Sequence, residues 1–282
     1  MIPLRLGGRD FDRPAVMAVV NRTPDSFFDR GATYGFAAAL AAVDAAVAGG
    51  ADIVDIGGVK AGPGEAVGVG EELRRVVDVV TAVRERHPGI VISVDTWRAE
   101  VGEAVATAGA DLLNDTWGGV DPRLAAVAAE HDIGLVCAHA GGLTPRTRPH
   151  RVRYDDVVAD VLGHVTAEAD RAERLGVRPE AILIDPAHDF GKNTWHSLEI
   201  TRRLGELTRT GRPVLVAVSN KDFIGETLGR PVNKRGVGTM AVLGVSAWLG
   251  ARVFRVHDVP AARRALDTLS AQRGADSRCR AR

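Results

Sequence analysis

Eleven polar side chains fall where apolar runs of this chain stop: Asn21, Asp55, Asp95, Asn114, Asp115, His139, Asp185, Ser219, Lys221, Arg255 and His257. Taken singly they say little. Asp95, Asp115 or Asp185 could each cap a loop by accepting backbone N–H bonds, and Asp55, just ahead of Gly57, reads as a residue that satisfies backbone groups at a strand end. His139 fits either a rim contact or a packed core histidine. Together, carboxylates, amides and cations arriving from separate parts of the chain describe a polar ligand site. His87, His131, His164 and His196 lie in or beside helical segments and read as surface residues. Cys137 sits in an apolar run and Cys279 in a polar tail, a pattern that suits free thiols better than a disulfide framework or a metal cluster.

The elements that must position these groups repeat. Short Val-, Ile- and Leu-rich runs occur at 15–20, 52–56, 90–94, 110–113, 133–138, 181–184, 213–218 and 252–254. Between them come segments of helical periodicity at 36–48, 71–86, 99–108, 122–130, 154–175, 195–208, 236–249 and 261–270. Strands buried on both faces and alternating with helices predict a parallel sheet. Periodicity alone fits an open, doubly wound sheet as well as a closed barrel. The strand ends discriminate. An open sheet needs polar groups only at its switch point, whereas a barrel brings every C-terminal strand end to one rim. Polar ends on all eight strands therefore predict a single (β/α)8 TIM barrel over 1–272, followed by a disordered tail over 273–282 that has little apolar surface.

At 282 residues and 45% hydrophobic composition the chain suits one such barrel. Lys plus Arg and Asp plus Glu each number 36, so no global field favours nucleic acid or an anionic membrane, and small-molecule partners are expected. The charged N-terminus and the lack of a long apolar window predict a cytoplasmic protein. Long connections at 21–35, 57–70 and 140–153 follow strands and are expected to overhang the mouth as binding loops.

The segments NRTPDSFFDRG at 21–31, DIGG at 55–58, SVDT at 93–96, NDTWGG at 114–119, DP with FGK at 185–192, and RVHDV at 255–259 resemble dihydropteroate synthase, colinearly over nearly the whole chain. That family joins a dihydropterin diphosphate to p-aminobenzoate and releases diphosphate with help from Mg2+. The resemblance implies that Asp95, Asn114, Asp185 and Lys221, with Phe190 nearby, hold the pterin. It implies that Asn21, Arg255 and His257 hold diphosphate, with Asn21 at the metal and Lys221, Arg255 and His257 as the catalytic set. It also implies a homodimer formed through the last helices. The residue types suit this chemistry, since a pterin edge offers alternating donors and acceptors, and departing diphosphate builds negative charge that cations stabilise.

The second-substrate region departs from the family. Where family members carry a hydroxyl and an arginine in a Gly-Gly-Glu-Ser-Thr/Ser-Arg-Pro-Gly loop, this chain has Gly57-Gly58-Val59-Lys60-Ala61-Gly62-Pro63-Gly64, and Lys60 lacks the guanidinium fork. Ser219-Asn220-Lys221-Asp222 replaces Ser-Arg-Lys and a small polar or basic residue. Asp222 is expected to sit at a helix N-terminus, where it repels an incoming carboxylate by roughly a few kcal/mol. Ala187-His188-Asp189 replaces Gly-Ile-Gly, either filling vacated space or binding something new, and PRTRPHRVR at 145–153 places a basic cluster, Arg146 to Arg153, over the mouth. These changes resemble a divergent second dihydropteroate synthase-like paralogue of actinobacteria, inactive or nearly so in folate synthesis. The expectation is a retained pterin diphosphate site with a degenerate p-aminobenzoate site at Ala61, Gly62, Asn220 and Asp222. The alternatives are a fully active synthase, a non-catalytic barrel for another anionic ligand, and, behind these, a pterin-dependent methyltransferase.

Overall fold

Val- and Ile-rich runs have no polar face to show to water, so they form strands only where both faces are covered. In a computed structural model that describes residues 2–24, 31–147 and 153–273, they do so as β1 Ala15–Asn21, β2 Ile53–Gly57, β3 Val91–Asp95, β4 Leu112–Asp115, β5 Gly134–Ala138, β6 Ile182–Asp185, β7 Leu215–Val216 and β8 Val253–Val256. All pairings in this sheet are parallel, in the order β6-β5-β4-β3-β2-β1-β8-β7. A parallel bridge between Ile184 and Val214 joins the two outer strands and closes the barrel. The C-terminal tail at 274–282 and Cys279 lie outside the described residues.

The helices are α1 Phe36–Ala48, α2 Val69–Arg86, α3 Ala99–Thr107, α4 Leu124–Glu130, α5 Val157–Leu175, α6 Thr194–Arg202, α7 Leu204–Thr208, α8 Asp222–Leu228, α9 Gly236–Trp248 and α10 Val259–Gln272. Two differences from the sequence-based expectation matter. The helix expected over 195–208 is broken at Arg203 (φ −102°, ψ 15°), whose guanidinium ties Asp156 to Glu206. And α8, which the periodicity did not predict, starts directly after Lys221.

The barrel interior is divided along its axis. Met17, Ile53, Val91, Leu112, Val136, Leu183, Leu215 and Val253 pack with Leu4, Leu6 and Phe11 into one buried cluster. The last three belong to an N-terminal segment whose two-stranded hairpin, Arg5–Leu6 paired with Arg9–Asp10, plugs the N-terminal end of the strands. Gly134 permits the close approach, since a Cβ there would lie 2.7 Å from Leu6 Cδ2. With that end sealed by apolar side chains, a polar ligand has the C-terminal rim as its entrance. No helix among the described residues is long and apolar enough to cross a membrane.

Candidate active site

Seven of the eight residues expected to hold the pterin diphosphate converge on one cavity at that rim, enclosing about 830 Å³ including the part open to solvent. Asn21 comes from β1, Asp95 from β3, Asp185 from β6, Phe190 from the next loop, Lys221 from beyond β7, and Arg255 and His257 from the end of β8. Asn114 does not line the cavity: its Nδ2 donates to Asp55 Oδ2 (3.2 Å), and its buried Oδ1 has no hydrogen-bond partner. Thr23, Thr116 and Ala217 also line the cavity, although the sequence did not single them out as site residues. Thr116 was legible inside NDTWGG, and its hydroxyl donates to Asp95 Oδ1 at 3.0 Å.

An ion network fixes the cation at the centre. Arg255 donates through Nε to Asp55 Oδ2 (2.6 Å) and through Nη2 to Asp95 Oδ2 (3.2 Å). Asp55 is fully buried and also accepts from Ser93 Oγ at 2.6 Å, so its partners are side chains and the expected backbone-satisfying role is corrected. It orients Arg255. Burial, with the like charge of Asp55, pushes the Asp95 carboxyl up to about 7 against the pull of Arg255. Burial opposes the charge on Arg255 as well, but Asp55 and Asp95 outweigh it and raise its proton affinity. His257 is held by Ser219, whose hydroxyl lies 2.9 Å from Nδ1.

The loop after β6 puts Ala187 and Phe190 on the cavity wall and packs His188 and Asp189 away from it. Ala187 (φ 49°) and Asp189 (φ 67°) occupy left-handed conformations that glycine adopts without cost and Cβ-bearing residues resist. His188 is completely buried, its ring stacked 5.5 Å from that of Phe223 and its Nε2 3.1 Å from Thr201 Oγ1. Burial, then Lys221 and Lys192, hold it neutral. It therefore packs; it does not reach for a ligand. Asp189 accepts from Ser197 Oγ (3.1 Å) and from the Phe223 N–H (3.2 Å) in the first turn of α8.

That last bond corrects the reading of Asp222. The Asp222 side chain is 67% exposed and paired with Arg235 at 2.8 Å, outside the cavity wall. Asp189, arriving from another loop, supplies the carboxylate to the α8 backbone. Asn220 is likewise a turn residue at φ 57°, its carbonyl accepting from Arg235 and its N–H bonded to Thr239 Oγ1, and it does not line the cavity. Lys221 donates to the His188 carbonyl and holds Nζ 4.9 Å from the Phe190 ring centroid; burial lowers its proton affinity.

The loop after β2 contributes Val59, Lys60 and Ala61 to the wall, whereas Gly62 lies off it. Arg146, from the loop after β5, reaches this segment: its Nε bonds the Gly62 carbonyl at 3.3 Å and its Nη1 the Glu65 carbonyl. The expectation of a basic cluster for an anionic ligand changes accordingly, because Arg146 spends these donors on protein carbonyls. Residues 148–152 of that cluster lie outside the described residues, as do residues 25–30 of the first motif.

The remaining candidates resolve into packing. His139 is 2% exposed with Nε2 2.7 Å from Asp160, and burial lowers it to about 4, which decides for the packed histidine. Asp115 accepts from the N–H groups of Trp117 (3.1 Å) and Gly119 (2.7 Å), as a loop cap does. The four histidines read as surface groups are half-buried: His87 pairs with Asp44, His131 with Glu103, His164 packs on His139, and His196 completes a capping box with Asn193 at the start of α6. Cys137 is buried and free. No group of three or more His, Cys, Asp or Glu among the described residues is placed to hold a metal.

A family model described as pterin binding enzyme matches residues 17–257, the span that carries every strand-end group of the cavity. This chain belongs to the pterin-binding enzyme family. It is 56% identical over 267 residues to inactive dihydropteroate synthase 2 of Mycobacterium tuberculosis strain H37Rv, covering 93% of this chain and 84% of that one. The dihydropteroate synthase of Synechocystis is 40% identical, covering 92% of this chain and 91% of the other. The structure of Yersinia pestis dihydropteroate synthase with a sulfonamide drug complex superposes with TM-score 0.91 at 34% identity, covering 97% of this chain and 100% of that chain. The TIM-barrel architecture is thus shared with this family.

Proposed function

We propose that this chain is a dihydropteroate synthase homologue that binds a dihydropterin diphosphate and condenses it with p-aminobenzoate weakly or not at all. The observation that carries the reading is a division within one cavity. The residues for the first substrate, Asp95, Asp185, Phe190, Lys221, Arg255 and His257, line it together, while the loop after β2 presents Val59, Lys60 and Ala61. Names of the relatives divide the same way: those 54–56% identical are called inactive dihydropteroate synthase 2, and those at 37–40% dihydropteroate synthase.

In the reaction of the family, the bond between the pterin methylene and the diphosphate oxygen breaks. Arg255 and a hydrogen-bonding or protonated His257 would stabilise the negative charge that develops on the leaving oxygens. Asp55 keeps Arg255 aimed at them. Mg2+ belongs to the proposal, and the donor set suits it: this ion keeps water and phosphate oxygens and needs only one or two protein oxygens, so Asn21 on the wall would suffice to hold it. Bound there it would add electrostatic stabilisation of the leaving group. A carboxylate-bearing second substrate would find the Phe223 N–H of α8 already bonded to Asp189 and no arginine in the loop after β2.

Homodimerism and residence in the cytoplasm are parts of the same reading. Supporting the first, Val237, Ala241, Val245 and Trp248 make an exposed apolar stripe along one face of α9, with Val237 87% exposed. A steady-state assay with both substrates and Mg2+ tests the function: turnover within tenfold of a typical enzyme, about 10 per second, would reject it. Calorimetry should show binding of the pterin diphosphate, and no binding would reject the retained site.

A further inference from the structure

Lys192 is a buried cation outside the cavity wall. It is 7% exposed, and its Nζ donates to the main-chain carbonyls of His139 (2.7 Å), Phe190 (2.8 Å) and Ala187 (3.2 Å). An ammonium has three N–H donors, so these bonds use all of them. The acceptors lie on the two sides of a join: His139 follows β5, and the other two belong to the 187–190 turn. That turn has Ala187 and Asp189 in left-handed conformations, which local preference opposes, so it depends on an outside fastening. It carries Phe190, whose ring forms cavity wall, meets Trp117 edge-on at 5.4 Å and lies 4.9 Å from Lys221 Nζ.

We propose that Lys192 is a positioning residue of the pterin pocket: its ammonium fastens the strained 187–190 turn to the end of β5 and so sets the Phe190 ring against which a pterin lies. This rests on the pterin reading above. The charged groups acting on it are Lys221 on one side and Asp185, Asp160 and Asp189 on the other, with the imidazoles of His139, His188 and His196 beside it. Burial, then Lys221, outweighs the three carboxylates and brings its titration to about 7. A neutral amine keeps only two donors, so one carbonyl is released above that pH. The Lys192 contribution to pterin affinity is full below about 7 and fades above it. Asp95 titrates in the same range and touches the cavity, so the contribution of Lys192 is read as the difference between wild type and Lys192→Met.

Pterin fluorescence titrations at about pH 6 and about pH 9 are expected to show Lys192→Met about tenfold weaker than wild type at the lower pH and weaker by a clearly smaller factor at the higher. Adding Ala187→Gly to Lys192→Met should recover part of the loss, because glycine holds that left-handed conformation without a clamp. In ligand-free protein, hydrogen exchange at the amides of 187–191 should quicken about tenfold in Lys192→Met while those of β1–β6 and β8 stay protected. Equal affinities at the lower pH, a ratio that does not change with pH, no recovery by Ala187→Gly, or loosening spread over the whole barrel would each overturn the proposal. Wild type that binds no pterin rejects the functional reading instead, and local exchange at 187–191 then decides the role of Lys192 by itself.

Discussion

Replacing Asp95 by Asn should make the ligand-free protein more stable at neutral pH and weaken its hold on a pterin. The Asp95 carboxyl is raised from 3.8 to about 7, chiefly by burial. Between those values the folded protein holds a proton that the unfolded chain has released, so stability falls as pH rises through that window. Below about 4 both states are protonated and nothing is lost; above about 7 the penalty is complete. Each unit is worth about 1.4 kcal/mol, so the stretch from about pH 5 to about pH 8 spans up to roughly 3 kcal/mol, and about 2 once screening by pocket water and the coupling to Arg255 are allowed for. Asn keeps the shape without the charge. Urea unfolding of wild type and Asp95→Asn at the two pH values should show the variant gaining about 2 kcal/mol relative to wild type as the pH rises; contributions from Asp115 or Lys192 cancel in the difference. A difference that stays constant or shrinks would refute the argument that cavity burial dominates this carboxylate. The accompanying loss of pterin affinity is the functional side of the same strain.

Asp55→Ala leaves Arg255 half-paired beside a buried gap and should cost about 3–5 kcal/mol in urea unfolding. Ala187→Gly relieves a left-handed Cβ residue and should stabilise by about 1 kcal/mol, read as a higher urea midpoint at unchanged m. Arg146→Gln should speed hydrogen exchange at the amides of 59–66 several-fold, and unchanged exchange would show that the bonds to Gly62 and Glu65 do not restrain that loop. Val237→Glu with Val245→Glu on α9 should turn a dimer into a monomer by light scattering with little change in thermal stability; a monomeric wild type would reject the dimer outright.

The barrel and its cavity were legible in the sequence because both depend on local, repeating signals. A buried parallel strand is written as an unbroken apolar run, and the residue after the run must stand at the rim, so Asn21, Asp95, Asp185, Arg255 and His257 could be placed from residue order alone. What the sequence could not contain was the partner of each group. Asp55 read as a strand-end residue until a side chain two hundred positions away, Arg255, was found against it. Asp222 read as the carboxylate on α8 because it is next to it in sequence, but Asp189 is next to it in space, while Arg235 draws Asp222 outward. The loss of the second-substrate groups was visible as missing residue types; that His188 packs on Phe223 and Asp189 bonds the start of α8 was decided by tertiary packing alone. Hydrophobic period and residue type set the scaffold and its rim, whereas pairing of charges and filling of volume depend on distances between chain segments that spacing does not encode.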